Sequence, residues 1–238
     1  VCQPSDWGYN QSGVLMTEHK IKWSHSSLKD YEGCARRYHE VKVLNNYPFQ
    51  ETEQTRYGKE LHKAAEDYVK DGTPIPKQFE FVTPVIDALM AKPGRKFPEH
   101  EMGLTIDLKP CNFKDGAVWV RGIADLLIVD DENLTGWIID YKTGNNRYPD
   151  TDQLVLMSLM TFAHFPHLRQ VNSALLFVVK NTIVKYRMEV EDIEPAWWQY
   201  RQRVSKLSSS FEHNTWNPTQ SALCNWCPVR TCELHPKH

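Results

Sequence analysis

The sequence has no long hydrophobic run and no excess of charge of one sign. Its longest apolar stretch, around 174–179, is about six residues, whereas a membrane-spanning helix needs roughly 20. Lys and Arg number 28 against 30 Asp and Glu, a net charge of −2. This balance excludes a protein that coats DNA through a uniformly basic surface, but a local basic groove can coexist with it, so a nucleic-acid enzyme is not excluded.

Glycine and cysteine are scarce as well. The 11 glycines and 14 prolines among 238 residues are too few for a fibrous or low-complexity chain. Six cysteines are too sparse for a disulfide scaffold. Residues 1–4 show no basic region followed by an apolar core, so we expect no secretory signal and a cytoplasmic setting.

Hydrophobic periodicity predicts helices first, then a strand meander, a helix, a strand pair and a long helix, which together favour one α/β or α+β domain. Helices are predicted from residue 24 to about 45, then over 56–70, 78–91, 151–164 and 192–213, and strands over 99–108, 117–129, 136–142, 171–180 and 182–190. The expected parts are an irregular lead-in (1–22), a helical part that contains Cys34 (24–95), a core (96–190), the long helix (191–213) and a Cys-rich tail (214–238).

A predicted hairpin carries the most informative polar residues. Two apolar strands flank a polar turn at 130–135, whose midpoint lies between Glu132 and Asn133. Folding about that midpoint places Asp125 opposite Asp140. Lys142 lies two residues beyond Asp140 and therefore on the same face of its strand. Two carboxylates and an ammonium are thus expected on one patch.

Two carboxylates directly opposite each other repel, so this hairpin needs a compensating charge. Mg²⁺ or Mn²⁺ takes hard oxygen ligands and keeps waters, one of which can attack a phosphodiester. The alternative is that both aspartates pair with Lys142 and Arg121. His62, beside the apolar stripe of a predicted helix, favours the metal because imidazole is a good third ligand. Gln153 also lies on the apolar face of its predicted helix.

Taken together, these residues resemble the PD-(D/E)XK nuclease superfamily, in particular its RecB-like branch. The family motifs are Gly-x-x-x-His on a helix, Gly-x-x-Asp and Asp-x-Lys on successive strands, and Gln-x-x-x-Tyr on a helix. The matching residues here, in the same order, are Gly58 and His62, Gly122 and Asp125, Asp140 and Lys142, and Gln153 with Met157 in place of the usual Tyr. The resemblance runs from about residue 24 to residue 232.

The resemblance implies a restriction-endonuclease-like α/β core, with a mixed central sheet flanked by helices. It also implies a Mg²⁺- or Mn²⁺-dependent deoxyribonuclease, an exonuclease that prefers single-stranded or frayed DNA ends. The implied metal ligands are His62, Asp125, Asp140 and the main-chain carbonyl of Tyr141. Lys142 is then the catalytic lysine, Gln153 positions the lysine or the DNA, and Glu101 is the candidate for an accessory acidic position.

Partners and an alternative function follow from the same resemblance. The expected partners are DNA, single-stranded above all, and a recombination or replication protein, with no membrane. Phage DNA metabolism and CRISPR adaptation fit equally well, and a phage-encoded protein would act in the host cytoplasm. The alternative is a catalytically silent, metal-stapled module that binds nucleic acid or protein and keeps the nuclease fold. The basic residues expected to contact DNA are Arg36, Arg37, Arg121 and Arg147.

The cysteine cluster predicts a second metal site. Cys224, Cys227 and Cys232 fall within nine residues, and clustered thiols in a reducing compartment usually hold metal. Three thiolates do not close a four-ligand site, and Cys34 is the best candidate for the fourth. Iron–sulfur nucleases of the RecB-like branch look similar and hold a 4Fe-4S cluster. Zinc is the alternative, with Cys34, His235 or His238 as the fourth ligand.

Overall fold

The computed structural model describes residues 21–144 and 147–236, so all but the last two residues of the predicted lead-in lie outside the described part of the chain. Helix α1 spans His25–Gly33 and begins where the Ser24 side chain accepts a hydrogen bond from the backbone N–H of Ser27. The single helix predicted from residue 24 to about 45 is wrong in one respect. Extended backbone at Cys34 ends α1, and a new helix, α2 (Ala35–Tyr38), continues into one π-helical turn at His39–Val43.

Two further helices form the layer on one face of the sheet. Helix α3 spans Glu53–Asp71, three residues earlier than predicted, because the Thr52 side chain caps the backbone N–H of Thr55. It ends at Gly72, whose φ of 71° is the left-handed conformation that glycine adopts readily. A 3₁₀ helix at Lys77–Val82 then runs directly into α4 at Thr83–Met90.

The sheet has six strands in the order β2-β1-β3-β4-β5-β6. Only β4 and β5 are parallel, joined by a helical crossover, and all other neighbours are antiparallel. The mixed central sheet flanked by helices is therefore confirmed. The strands are β1 (Arg95–Leu104), β2 (Pro110–Cys111), β3 (Val120–Asp130), β4 (Thr135–Lys142), β5 (Gln170–Phe177) and β6 (Thr182–Glu189). The short strand β2 was not predicted.

Helices cover both faces of the sheet. Helix α5 (Asp152–His164) and helix α6 (Ile193–Glu212) pack on one face, against residues such as Leu127 and Ile138. Helices α3 and α4 pack on the opposite face, where Leu61 contacts the core around Leu126. Within the described residues, every helix is too short or too polar to span a membrane.

Candidate active site

The hairpin of β3 and β4 has the register that its sequence symmetry predicts. Leu126 pairs with Ile139, and the ladder runs from there to the turn, where Asp130 pairs with Thr135. One step beyond the Leu126 pair, Asp125 faces Asp140. The two carboxylates therefore sit at the open end of the hairpin, where regular pairing stops.

The backbone of Tyr141 holds two of the expected metal ligands. Its N–H donates a hydrogen bond to Asp125 Oδ2 at 2.6 Å, and its carbonyl oxygen lies 2.9 Å from His62 Nε2. His62 Nδ1 in turn lies 3.4 Å from Asp125 Oδ1. Helix α3 and strands β3 and β4 thus meet at one peptide unit, which fixes an imidazole beside a carboxylate.

Glu99 on β1 completes this group, whereas Glu101, the candidate for an accessory acidic position, is not part of it. The ligand atoms of His62, Glu99 and Asp125 all lie within 4.8 Å of one another. In residues 21–144 and 147–236 this is the only such group of three His, Cys, Asp or Glu side chains. Glu101 is exposed. Glu99 and Glu101 are two residues apart, so the two-residue period of a strand does not distinguish between them. Only the folded structure shows that Glu99 is the one that lies beside His62.

An irregularity in the sheet lies at this point. Strands β1 and β3 pair regularly on both sides, but the ladder skips Glu99 and Asp125, which face each other. Glu99 has a φ of 44°, a left-handed conformation that is uncommon for a residue with a side chain. The alternation of side chains between the two faces of β3 also shifts here. Ala124 and Leu127 are three residues apart, so a regular strand would place them on opposite faces, yet both pack in the same core. The two acids therefore sit where both strands depart from regular alternation.

Asp140, Lys142 and Gln153 form a second, adjoining group. Lys142 Nζ lies 2.6 Å from Asp140 Oδ2 and donates a hydrogen bond to Gln153 Oε1 at 3.0 Å. The Gln153 amide donates to Asp140 Oδ1, which closes the ring. Because Gln153 is the second residue of α5, this group lies on the α5 side of the sheet.

The pairing of an aspartate with Lys142, raised above as an alternative to metal binding, holds for Asp140 only. Arg121 lies instead over the ring of Phe113 at 5.2 Å.

Burial and mutual repulsion raise the pKa of two acids in the metal-free site. Burial, followed by the charge of Asp125, raises the pKa of Glu99 to about 7 and that of Asp140 to about 6. Burial lowers the pKa of His62, but its contacts with Asp125 and the Tyr141 carbonyl outweigh this effect and raise the pKa to about 9. The site is therefore short of positive charge, and an imidazole with two or three carboxylates is a donor set that fits Mg²⁺ or Mn²⁺.

Two of the family motifs contain a glycine, and each glycine allows a neighbouring element to pack closely. A Cβ on Gly122 would lie 2.7 Å from Met157 Sδ. Met157 is buried in the main core, so the position at which the family has Tyr does not reach the surface here. A Cβ on Gly58 would lie 3.3 Å from Thr143 Oγ1, at the end of β4. Gly58 thus lets α3 approach the strand that carries Lys142.

The structure brings the four predicted cysteine ligands together around one small cavity. Its lining includes Cys34, Cys224, Cys227, Cys232 and His235, and all four cysteines are free thiols. His238, the other histidine considered, lies outside the described residues. Backbone N–H groups point at two of the sulfurs: those of Arg37 and Thr219 at Cys34 Sγ, both at 3.5 Å, and that of Ser221 at Cys224 Sγ, at 3.4 Å.

The four arginines expected to contact DNA occupy three different places. Arg36 and Arg37 line the cysteine cavity, where Arg36 pairs with Glu40 and Arg37 with Asp30. Arg121 extends from β3 over Phe113, and Arg147 lies over the ring of Tyr148. None of the four is part of the metal-ligating group.

Two solved structures are similar to this chain. A crystal structure of a presumptive exonuclease from Eubacterium rectale is 12% identical, with a TM-score of 0.52, and 94% of each chain is covered. The crystal structure of SSO0001 is 13% identical, with a TM-score of 0.43 and coverage of 94% of this chain and 90% of that one. These likenesses concern the fold alone. No curated protein sequence gives a significant match.

The family comparison bears on the chain itself. The model of the PD-(D/E)XK nuclease superfamily matches residues 80–232. That span includes Asp125, Asp140, Lys142 and Gln153, whereas His62 precedes it. Because the match covers more than half of the sequence, the chain belongs to the PD-(D/E)XK nuclease superfamily.

Proposed function

We propose that this protein is a Mg²⁺- or Mn²⁺-dependent deoxyribonuclease that hydrolyses phosphodiester bonds, acting as an exonuclease on single-stranded or frayed DNA ends. The observation that carries the proposal is that neighbouring residues of β4, 140 to 142, hold two polar groups at the open end of one hairpin. His62, Glu99 and Asp125 form a set of metal-ligating side chains. Beside them, Lys142 is fixed by Asp140 and Gln153.

The metal would be held by His62, Glu99 and Asp125, with Asp140 and the Tyr141 carbonyl as further oxygen ligands. When bound, a divalent ion supplies a nucleophile by lowering the pKa of a coordinated water and neutralises charge on the phosphate. The protein's own contribution is orientation. Asp125 is held by a backbone N–H and His62 by a backbone carbonyl, so neither needs to reorganise.

Lys142 supplies the fixed positive charge of the site. Its ammonium group is oriented from two sides, by a carboxylate 2.6 Å away and an amide oxygen at 3.0 Å. A preoriented cation stabilises the negative charge that develops on a phosphate under attack, without reorganisation during the reaction. Gln153 contributes by holding both partners at once. These roles for Lys142 and Gln153 are those implied by the family motifs.

For the cysteine cavity we propose a 4Fe-4S cluster ligated by Cys34, Cys224, Cys227 and Cys232. In the described part of the chain, no three Cys or His ligand atoms lie within 4.8 Å of one another. A tetrahedral zinc site with Zn–S bonds of roughly 2.3 Å needs sulfurs about 3.8 Å apart. Iron–sulfur clusters place each thiolate on a different iron and so accept wider spacing. N–H donors at the sulfurs also suit a cluster.

The proposed cluster is structural. Cys34 begins α2, whereas the other three thiols belong to the tail that follows α6. A cluster would therefore tie the two ends of the described chain together around the nuclease core. Zinc is the competing occupant.

The further proposals are intracellular action in the cytoplasm, a recombination or replication protein as partner, and DNA contacts through Arg36, Arg37, Arg121 and Arg147.

A catalytically silent module is the second candidate function. The observation that favours it is the closed ring of Asp140, Lys142 and Gln153. In that ring, each polar group already has a partner in the absence of substrate. A silent module would bind nucleic acid through the same surface without turnover.

One assay separates the two candidates. End-labelled single- and double-stranded DNA is incubated with the protein and Mn²⁺ or Mg²⁺, with chelator as a control. We expect cleavage by the wild type, and loss of cleavage in Lys142→Met and Asp140→Asn. Lys185→Met, on the exposed edge of β6, is the matched control and should keep full activity. Metal-independent binding without cleavage would favour the silent module.

A further inference from the structure

An open groove of about 650 Å³ lies along α3 and includes two of the proposed metal ligands. His62 and Glu99 are part of its lining, with Gly58 from the helix and Thr143 from the end of β4. Phe49, from the segment before α3, lines the same groove. A nucleotide placed in this groove is therefore within reach of both the metal-ligating group and an aromatic ring.

A second groove of about 650 Å³ adjoins the first, because Gln54 and Thr143 line both. Thr143 directly follows Lys142 in the chain, so the two grooves meet at the end of β4. Tyr57 lines the second groove and is partly exposed. Together, the grooves provide a path for an extended strand that passes the site between two aromatic side chains.

Phe49 is the most exposed side chain of this path that could contact a base. Its exposed fraction is 71%, so it contributes little to the folded core. A large apolar ring in water beside a candidate active site is the informative kind of exposure. Aromatic rings on the surface of proteins that bind single strands act as stacking platforms, because every base has a π-face.

The charges around the groove favour stacking over phosphate binding. Lys59 is 2.6 Å from Glu51. Lys63 lies 3.2 Å from Glu66 and 2.6 Å from Asp67. Because each ammonium group already faces a carboxylate, the groove has little free positive charge to offer a DNA backbone. Base stacking is then the main interaction that remains.

We propose that Phe49 stacks on an unpaired base of the substrate strand and thereby selects single-stranded DNA ends. The inference rests on the proposed nuclease function and names a residue that determines its substrate preference. A ring can stack only on a base with a free face, and the bases inside a duplex are covered on both faces. Phe49 should therefore assist binding of single strands and frayed ends but not of relaxed circular duplex DNA, in which every base is covered on both faces.

Three variants test the proposal: Phe49→Ala, Phe49→Trp and Phe81→Ala. Phe81 is also a partly exposed phenylalanine, but it lines a groove that contains none of the metal-ligating side chains. We expect Phe49→Ala to raise the KM for single-stranded oligonucleotides roughly 5- to 100-fold, with kcat nearly unchanged. Phe49→Trp should keep the wild-type KM, and Phe81→Ala should match the wild type. The dependence of binding on salt should not change, since no phosphate contact is lost.

Oligonucleotides with one abasic residue, moved stepwise along the strand, give a second readout. Fluorescence anisotropy should show weaker wild-type binding when the stacked base is missing, and no further loss for Phe49→Ala at that position. This measurement does not require cleavage.

A wild type that cleaves single strands, with an unchanged KM in Phe49→Ala, overturns the stacking proposal and leaves the nuclease function intact. A wild type that binds without cleaving overturns the nuclease function instead. An equal loss of binding to relaxed circular duplex DNA overturns the claimed selectivity.

Discussion

Asp125 accepts a hydrogen bond from the backbone N–H of Tyr141, at the position where the next rung of the β3–β4 ladder would lie. The side chain thus replaces a backbone acceptor. The same residue, Tyr141, presents its carbonyl to His62 and is paired on its other side with Leu176 of β5. Because β4 lies inside the sheet, the peptide unit that orients both ligands is held rigidly, which is what a metal site requires of its support.

The amide of Gln153 is predicted to act through Lys142 rather than through the metal. Gln153→Leu removes the hydrogen bonds to both Lys142 and Asp140. Hydrogen bonds to charged groups contribute about 1.5–3 kcal/mol, so we expect kcat to fall roughly 10- to 100-fold. Affinity for Mn²⁺ should change much less than kcat, because Gln153 contacts Asp140 but none of the three clustered ligands.

The measurement is a pair of titrations, one of DNA cleavage rate and one of Mn²⁺ binding by calorimetry. Gln202→Leu, on the exposed face of α6, is the control and should leave both unchanged. An equal loss of metal affinity and kcat in Gln153→Leu would show that the residue supports the metal instead of the lysine.

Metal binding is predicted to strengthen as the pH rises and to release protons. In the metal-free protein Asp140, Glu99 and His62 hold protons up to about pH 6, 7 and 9 respectively. A metal binds only the deprotonated forms. Apparent Mn²⁺ affinity should therefore increase from pH 6 to pH 9 and level off above the pKa of His62.

Calorimetry in two buffers of different ionisation enthalpy measures the number of protons released at each pH. His62→Gln removes the group that titrates highest, so its affinity should level off near the pKa of Glu99 instead. A flat profile between pH 6 and pH 9 in the wild type would mean that these side chains do not bind the ion.

Loss of the proposed cluster is predicted to lower the stability of the fold before it affects catalysis at the active site. Cys227→Ser should give a colourless protein with a lower Tm, because the link between Cys34 and the tail is lost. By analogy with a disulfide that closes a long loop, the loss is roughly 2–5 kcal/mol, or about 5–15 °C in Tm for a chain of this size.

Cys111→Ser is the matched control for this prediction. Cys111 is a free thiol on β2 and does not line the cavity, so colour, iron content and Tm should all be unchanged. Loss of activity in Cys227→Ser at an unchanged Tm would contradict a structural role. A colourless wild type with stoichiometric zinc would replace iron–sulfur by zinc.

The hairpin was predictable because its geometry depends only on local symmetry. A polar turn between two apolar strands fixes the pairing, and hence which residues lie opposite each other. Glu99 was not predictable for the opposite reason. Its position depends on a left-handed residue in β1 and on the place where α3 crosses that strand, and both are tertiary facts. No residue pattern near Glu99 distinguishes it from Glu101.

The start of β1 and the break between α1 and α2 were also not predictable from the local sequence. Strand β1 was predicted over 99–108, yet it begins at Arg95 and includes Pro98, a residue that disfavours strands. Pairing of Pro98 with Leu126 of β3 outweighs that preference. Cys34 breaks a helix that its neighbours favour, and its sulfur then faces the backbone N–H of Arg37. The backbone N–H of Thr219, 185 residues away, also points at this sulfur, so in both cases a long-range partner accompanies the departure from the local preference.

Gly94 and Gly33 offer a matched pair for testing the backbone at the start of β1. Gly94 has a φ of 104°, and a Cβ there would lie 2.4 Å from the carbonyl oxygen of Val129. Because both the conformation and the space exclude a side chain, Gly94→Ala should lower the free energy of unfolding by about 3 kcal/mol or more. Gly33 meets nothing within 4 Å, and alanine there gains helix propensity in α1, so Gly33→Ala should leave stability equal or slightly higher. Urea unfolding followed by circular dichroism measures both, and equal midpoints for the two variants would show that β1 can shift away from Val129 at little cost.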